Sequence, residues 1–382
     1  MEALPRGQGR MKLSYISRSF IPSRSANSVH VMKMCEAFVR NGHQVVLLAP
    51  DSKDVEPGGH DPYRFYGVEP CFPIEKLPWL RFKGKGGVYG FLAARRARGL
   101  KVDLVYSRVL SGCFFSTLLG QPVIYESHEP VAAGGSVAWM FERVVQRPSF
   151  RRLVVISEAL RKLYTESHGA LLADRIAVAH DAADPPRRDA DEEIIETGKF
   201  QVGYIGHLFA GRGIGLILQL AEQCPWADFH LIGGTESDLA YWRNGGTSRS
   251  NVYFRGFVAP AALERERRSF DVLLAPYQRR VSVYGGTGNT SQWMSPLKIF
   301  EYMAAGKAIL CSNLPVLREV LSHEETALLC DPEDVRSWVE ALERLRNDSA
   351  LRNELGKRAA DRVEQCHTWS SRAKKVLAGV LC

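Results

Sequence analysis

Lys298 and Glu301 stand three positions apart in SQWMSPLKIFEYMAAGKAILCS, residues 291–312. Ser295 is suited to cap a helix, Pro296 to open it and Gly306 to end it, so residues 297–305 are expected to form a short helix. The start of such a helix, around Ser295 and Leu297, offers free N–H groups and a partial positive charge, which suit a phosphate. A lysine in the first turn opposes the helix dipole, and an anion bound nearby would explain it. A glutamate on the same face is placed to accept from two vicinal ribose hydroxyls. An exposed Lys298–Glu301 ion pair is the plainer alternative.

A second stretch, VGYIGHLFAGRGIG at residues 202–215, reads as a strand, a loop with Gly206, Gly211, Gly213 and Gly215, and a helix over 214–223. Glycines let the backbone approach a ligand closely, and Arg212 offers a planar fork for a diphosphate. The spacing is not GxGxxG, which argues against a hydride-transferring dinucleotide site. Two helix starts in one domain are expected to converge on one crevice, with Arg212 and Lys298 beside the pyrophosphate.

These stretches need a scaffold, and the rest of the chain supplies its pattern. Strands are expected at 12–17, 44–49, 103–107, 122–126, 153–156 and 175–179, with helix-like segments between most of them, including 29–41. The pattern breaks at DPPRRDADEEIIETGK, residues 184–199, which reads as a linker. It resumes with strands at 201–205, 229–232, 252–255, 272–275, 307–311 and 327–330. Helices at about 333–346 and 349–364 follow, then a basic helical segment over 369–381. This is βαβ grammar and implies parallel sheets covered on both faces. The expected fold is α/β, with two Rossmann-like, doubly wound parallel-sheet domains facing across a cleft. The first spans 11–183, with 366–382 returning to it, and the second spans 200–365. Ligands in such sheets bind beyond the carboxyl ends of the strands.

Composition bounds the remaining possibilities. The chain has 382 residues, 45% of them hydrophobic and 24% charged, which excludes a disordered chain and allows two or three domains. Thirty-three Gly and 19 Pro without a period exclude a collagen-like protein. No uncharged apolar run is long enough to span a bilayer, and the first ten residues lack the apolar core of a secretory signal, so the chain is expected in the cytoplasm. The eight Cys form no CxxC pair and are read as reduced core thiols. Asp189 and Asp191 spell DxD within the linker, away from any strand end, and no metal is expected there. No serine lies in GxSxG, so a hydrolase elbow is not indicated. The glycine-rich run 84–90 follows no clear strand and reads as a mobile loop.

The net charge of +8 is concentrated in residues 76–108, which hold nine basic residues and one acid, Asp103. Leu77, Trp79, Leu80 and Phe82 are interleaved with the charges. Contact with anionic lipid headgroups, with a nucleic-acid backbone, or a solvated loop and helix face all fit this composition. No nucleic-acid motif accompanies it, and no nucleic-acid partner is expected.

The C-terminal half resembles the family 4 retaining glycosyltransferases of the GT-B architecture. The residues that carry the resemblance are GHLFAGRG at 206–213, NVYFRGFV at 251–258, DVLLAP at 271–276 and SPLKIFEYMAAG at 295–306. The N-terminal half agrees more loosely, through 23–42, YESHE at 125–129, LVVISE at 153–158 and HDAAD at 180–184. The resemblance implies a basic pair on the donor diphosphate, at the positions of His207 and Arg212. It also implies a ribose-binding glutamate at Glu301, but the family's other glutamate, eight residues earlier, falls at Trp293. His128 matches the family histidine near the reacting carbon, and Phe257 and Val258 the place where backbone groups read the base. The loop PSRSANS at 22–28 replaces a glycine-rich one. Within it Arg24, Asn27 and Ser28 are placed to meet phosphate or acceptor, or Asn27 or Ser28 simply caps the helix.

The activity implied is retaining transfer of a sugar from a nucleotide-sugar, UDP-linked by family frequency, to a glycan, lipid-linked or small-molecule acceptor. No metal cofactor is implied. A nucleotide-sugar-binding subunit without activity and a nucleotide-sugar epimerase are the alternatives. The basic segment adds an expected peripheral contact with the inner face of a membrane.

Overall fold

The computed structural model describes residues 9–51, 60–186, 198–244, 249–282 and 289–380. It divides into two compact units, Met1–His180 with Trp369–Cys382, and Asp181–Thr368. Residues 181–183 belong with the second unit, where Ala183 bridges Thr368. Residues 187–197, which hold most of the expected linker together with Asp189 and Asp191, lie outside the described residues.

In the first unit the strands are β1 (Lys12–Ile16), β2 (Gln44–Asp51), β3 (Ile74–Pro78), β4 (Leu104–Ser107), β5 (Val123–Ser127), β6 (Phe150–Val155) and β7 (Ile176–Val178). They form one parallel sheet in the order β3-β2-β1-β4-β5-β6-β7. Its helices are α1 (Ala26–Arg40), α2 (Pro62–Tyr66), α3 (Lys85–Gly99), α4 (Leu110–Leu118), α5 (Gly135–Val145) and α6 (Glu158–Leu172). Helices lie between most of the parallel strands in the chain, and the central strands β4 and β5 are buried throughout. Tyr15 of β1 lies opposite Leu47 on one side and Tyr106 on the other, and all three are inaccessible to solvent.

Three local expectations are corrected here. α1 starts at Ala26, not near Val29, and its cap is Ser25, whose hydroxyl accepts from the Ser28 N–H; neither Asn27 nor Ser28 is the cap. Part of the basic segment is strand β3. The run 84–90 is mostly the first turns of α3, not a loop. The physical reason is packing: a Cβ on Gly90 would stand 2.4 Å from Ser111 Oγ and 2.7 Å from the Gly112 nitrogen, so the glycine lets α3 and α4 approach closely.

The second unit holds β8 (Phe200–Ile205), β9 (Ala227–Ile232), β10 (Val252–Gly256), β11 (Val272–Ala275), β12 (Ala308–Ser312) and β13 (Leu328–Cys330). They too are parallel, in the order β10-β9-β8-β11-β12-β13. The helices are α7 (Ile214–Gln223), α8 (Glu236–Asn244), α9 (Leu263–Arg268), α10 (Leu297–Ala304), α11 (Val335–Asn347) and α12 (Ser349–Cys366). The chain order reverses between β8 and β11, and a crevice opens beyond the strand ends at such a switch point. α13 (Trp369–Leu377) then packs against α1 of the first unit. Among the described residues no helix is long and apolar enough to cross a membrane.

The turn from β8 into α7 admits no side chain at Gly213. Its φ is +84°, and an added Cβ would stand 1.9 Å from the Pro276 carbonyl oxygen at the end of β11. Gly213→Ala is expected to lower stability by about 1–3 kcal/mol, the cost of backbone strain of this kind. Urea denaturation reads the loss, and a midpoint equal to that of the unsubstituted chain would contradict the contact.

Candidate active site

At the β8–β11 switch point, Gly206 follows β8, Tyr277 follows β11, and α7 and α10 both start with no side chain capping them. α10 begins at Leu297, and Pro296 occupies the cap position. Ser295 is therefore not the cap. Its hydroxyl instead accepts from the backbone N–H of Asp181 at 2.9 Å, which removes a competitor for the first N–H groups of α10.

Lys298 leans back from the first turn of α10 over the β8 loop. A Cβ on Gly206 would lie 2.7 Å from its Nζ, so a side chain there would displace the ammonium from its place. Nζ stands 3.8 Å from the ring centroid of Tyr204 and 5.3 Å from that of Tyr277. Arg212 places its guanidinium 5.5 Å from the same Tyr277 ring. Both cations thus lie close to one tyrosine ring. Lys298 Nζ and Arg212 Nε are buried without a hydrogen-bond partner among the described residues. Burial holds Lys298 well below the usual lysine range, and the charge of Arg212 adds to the effect, while Glu301 opposes it. Two like charges in a partly dry setting repel, and the Nζ and Nε atoms lack an acceptor among the described residues. An anion beside them would supply one.

His207 lies in the same loop, its ring stacked on Phe209 at 4.8 Å. Burial, then Arg212 and Lys298, lower its pKa to about 4. In the ligand-free chain it is a neutral imidazole at pH 7, so it enters the site as a hydrogen-bonding group rather than a charge. Glu301, one turn after Lys298, pairs with Arg267 Nη1 of α9 at 3.3 Å and not with Lys298. The plain i,i+3 pair is thus ruled out. Tyr302 ties α10 to β8: its hydroxyl accepts from the Ile205 N–H at 2.8 Å. Gly206, His207, Arg212, Gly213 and Lys298 therefore come together. Phe257 and Val258 follow β10 at the sheet's edge, half-buried. Arg267, Tyr204, Tyr277 and Tyr302 carried no local signal, because their roles come from partners distant in the chain.

In the first unit, His128 follows β5, and its Nε2 lies 2.5 Å from Glu126 Oε1. Glu126 is fully buried and acts as a hub. His30 of α1 reaches it at 2.9 Å, Arg372 of α13 at 3.2 Å and Arg108 at 3.8 Å, and the Tyr106 hydroxyl also donates to it. Burial raises the pKa of this carboxyl, but Arg372 and the two histidines outweigh it and hold it well below the ordinary range. Burial, then Arg108, brings His128 to about 4 against the pull of Glu126. With Nε2–H committed to Glu126, the tautomer is fixed and Nδ1 is left bare. The ligand atoms of His30, Glu126 and His128 lie within 4.8 Å of one another. Even so, two guanidinium groups already balance the carboxylate, and the set offers a metal ion little attraction. Asn27 sits exposed in the first turn of α1.

The two histidines make stability depend on pH. Folded, each has a pKa of about 4; unfolded, each returns to about 6.5. Between those values the unfolded chain binds more protons, so stability is full above the upper value and falls as pH drops towards the lower one. The Tm is expected to be lower at about pH 5 than at about pH 7.5, and His207→Asn to shrink that difference. An unchanged Tm across the interval would contradict the buried, neutral histidines.

Comparison with known proteins bears on the family and the fold. Residues 28–187 match the model of the family described as Glycosyltransferase Family 4, and residues 214–378 match that described as Glycosyl transferase-like. An uncharacterized glycosyltransferase of Methanocaldococcus jannaschii is 27% identical, over 96% of this chain and 97% of its own length. The phosphatidyl-myo-inositol mannosyltransferase of Mycolicibacterium smegmatis is 28% identical over 43% of this chain and 41% of its own. Among solved structures, Anabaena HepE in complex with UDP-glucose is similar, with a TM-score of 0.70 and 15% identity, covering 96% of this chain and 98% of HepE. The chain belongs to the family-4-like glycosyltransferases and has their GT-B fold.

Proposed function

We propose that the enzyme moves a sugar, with retention of anomeric configuration and without a metal, from a UDP-sugar to a glycan, lipid-linked or small-molecule acceptor. The observation that carries this is the pair of basic groups, Lys298 and Arg212, whose Nζ and Nε are buried beside one tyrosine ring at two uncapped helix starts. The UDP-glucose bound to HepE supports the choice of nucleotide, and the phosphatidyl-myo-inositol of the mycobacterial relative's name keeps a lipid acceptor among the three.

In this reading the bond from the sugar carbon to the diphosphate oxygen breaks as an acceptor oxygen bonds to the same face of that carbon. The acceptor's proton passes to a phosphate oxygen of the leaving group. Negative charge accumulates on the diphosphate, where Arg212, Lys298 and the N–H groups near Gly213 and Leu297 stabilise it. His207 and Gly206 line the same loop, and Ser295 keeps the start of α10 open. Glu301, held by Arg267, accepts from the ribose hydroxyls, and backbone groups at Phe257 and Val258 meet the base. His128 and Asn27 of the first unit serve the reacting sugar and its acceptor. The cytoplasm is the proposed location, with a peripheral membrane contact through residues 76–108.

Arg212→Ala and Glu301→Ala are each expected to cut transfer by about tenfold or more while the protein stays folded. Near-normal transfer by either variant rejects its role. A thermal-shift series with UDP-, GDP- and TDP-sugars should raise the Tm with UDP-sugars at lower concentration than with the others. A diphosphate beside Lys298 favours its charged form, against the lowering by burial and Arg212. UDP binding is therefore expected to take up protons in the pH range where Lys298 titrates, read by calorimetry over a pH series in buffers of different ionisation enthalpy. A binding enthalpy independent of buffer at every pH would contradict the burial of Lys298.

A further inference from the structure

Eight large apolar side chains stand well exposed among the described residues, and six of them lie in the first unit: Leu80, Phe82, Phe91, Leu118, Val137 and Trp139. They are not scattered. Leu80 and Phe82 precede α3, Phe91 is on it, Leu118 ends α4 and the last two are on α5, and α3 packs on α4 as α4 does on α5. A chain of rings crosses the three helices. Phe91 meets Phe115 at 5.4 Å, Phe115 meets Phe114 at 5.4 Å, and Phe114 meets Trp139 at 5.7 Å.

Each part of this surface carries a cation. The guanidinium groups of Arg95, Arg147 and Arg143 lie 5.9, 4.9 and 5.7 Å from the rings of Phe91, Phe114 and Trp139. Lys85 lies 5.2 Å from Trp79. Between Lys76 and Tyr125 the one acid is Asp103, and its carboxylate is engaged by the backbone N–H of Lys12. Soluble proteins seldom leave so contiguous an apolar patch uncovered, and on α3 and α4 this one is interleaved with positive charge only, α5 adding Glu142 beside Arg143.

We propose that the α3–α4–α5 face docks on a bilayer containing anionic phospholipid. This deepens the membrane contact proposed above for residues 76–108 and rests on that reading, extending it over α4 and α5. Trp139, Phe82 and Leu118 enter the boundary between headgroups and acyl chains, and the arginines bind lipid phosphates from beside the rings. The aliphatic members distinguish this from a nucleic-acid surface: Leu80, Leu118 and Val137 offer nothing for a base to stack on. The surplus of one charge sign opposes a second copy of the same face.

The test is sedimentation of the full chain with vesicles of phosphatidylcholine alone or mixed with phosphatidylglycerol. The chain is expected to bind the mixed vesicles, and less so in high salt. Leu118→Ser with Trp139→Ser should weaken binding about tenfold while leaving the thermal shift with UDP unchanged. Arg95→Gln with Arg143→Gln should weaken it as well. Equal binding to phosphatidylcholine alone overturns the anionic partner. Wild-type binding by the Leu118/Trp139 variant overturns the docking face; if the arginine variant alone loses binding, the charge contact of 76–108 survives without it. Failure of the unsubstituted chain to bind mixed vesicles overturns both. Loss of self-association in the Leu118/Trp139 variant, with no vesicle binding by either, identifies the patch as a contact between copies and overturns the proposal.

Discussion

Everything at the second sheet's switch point depends on two positive charges held close together without an acceptor. Water would ordinarily screen Arg212 from Lys298, but here Lys298 Nζ and Arg212 Nε are shielded, and the ring of Tyr277 attracts both groups. The ring quadrupole lowers the cost of this arrangement without cancelling charge. An anion between the two groups would offset their repulsion. The geometry around them is constrained: Gly213 has no space for a side chain, and Tyr302 fixes α10 to the end of β8.

The first unit solves the opposite electrostatic problem. Glu126 is a negative charge in the interior, and it is compensated several times over, by Arg372, Arg108, His30 and Tyr106 as well as His128. Breaking up such a set is more damaging than its net contribution suggests, because the carboxylate cannot be rehydrated in place. The hub's chemical product is a histidine of fixed tautomer, a quarter exposed, that stays neutral at physiological pH. One unit thus stores unsatisfied charge and the other spends its interactions on orienting a neutral base.

Much of this was legible in the sequence wherever the cause is local. The alternating strands and helices, the glycine loop, and the placement of Arg212 and Lys298 follow from residue type and spacing. What escaped is what the fold assembles from afar. Ser295 looked like a cap because it precedes Pro296, but its hydroxyl is engaged by Asp181, 114 positions away. The glycine run before Phe91 looked like a loop, yet Gly90 is there to let two helices touch. Glu126, His30 and Arg372 are each unremarkable alone, and no period or motif joins residues from β5, α1 and α13. Arg267 likewise becomes meaningful only when α9 is laid beside α10.

The return of α13 to the first unit has a consequence for biosynthesis. Arg372 reaches Glu126 across 246 positions of sequence, and it also donates to the carbonyls of Ala179 and His180. A nascent chain emerging from the ribosome therefore carries all strands of the first sheet, with the interior carboxylate lacking one of its two guanidinium partners, throughout translation of the second unit. The amino-terminal half lacks the contribution of Arg372 until then. It matures only after its neighbour has been made, and a chaperone engaging the nascent polypeptide would meet it in that waiting state.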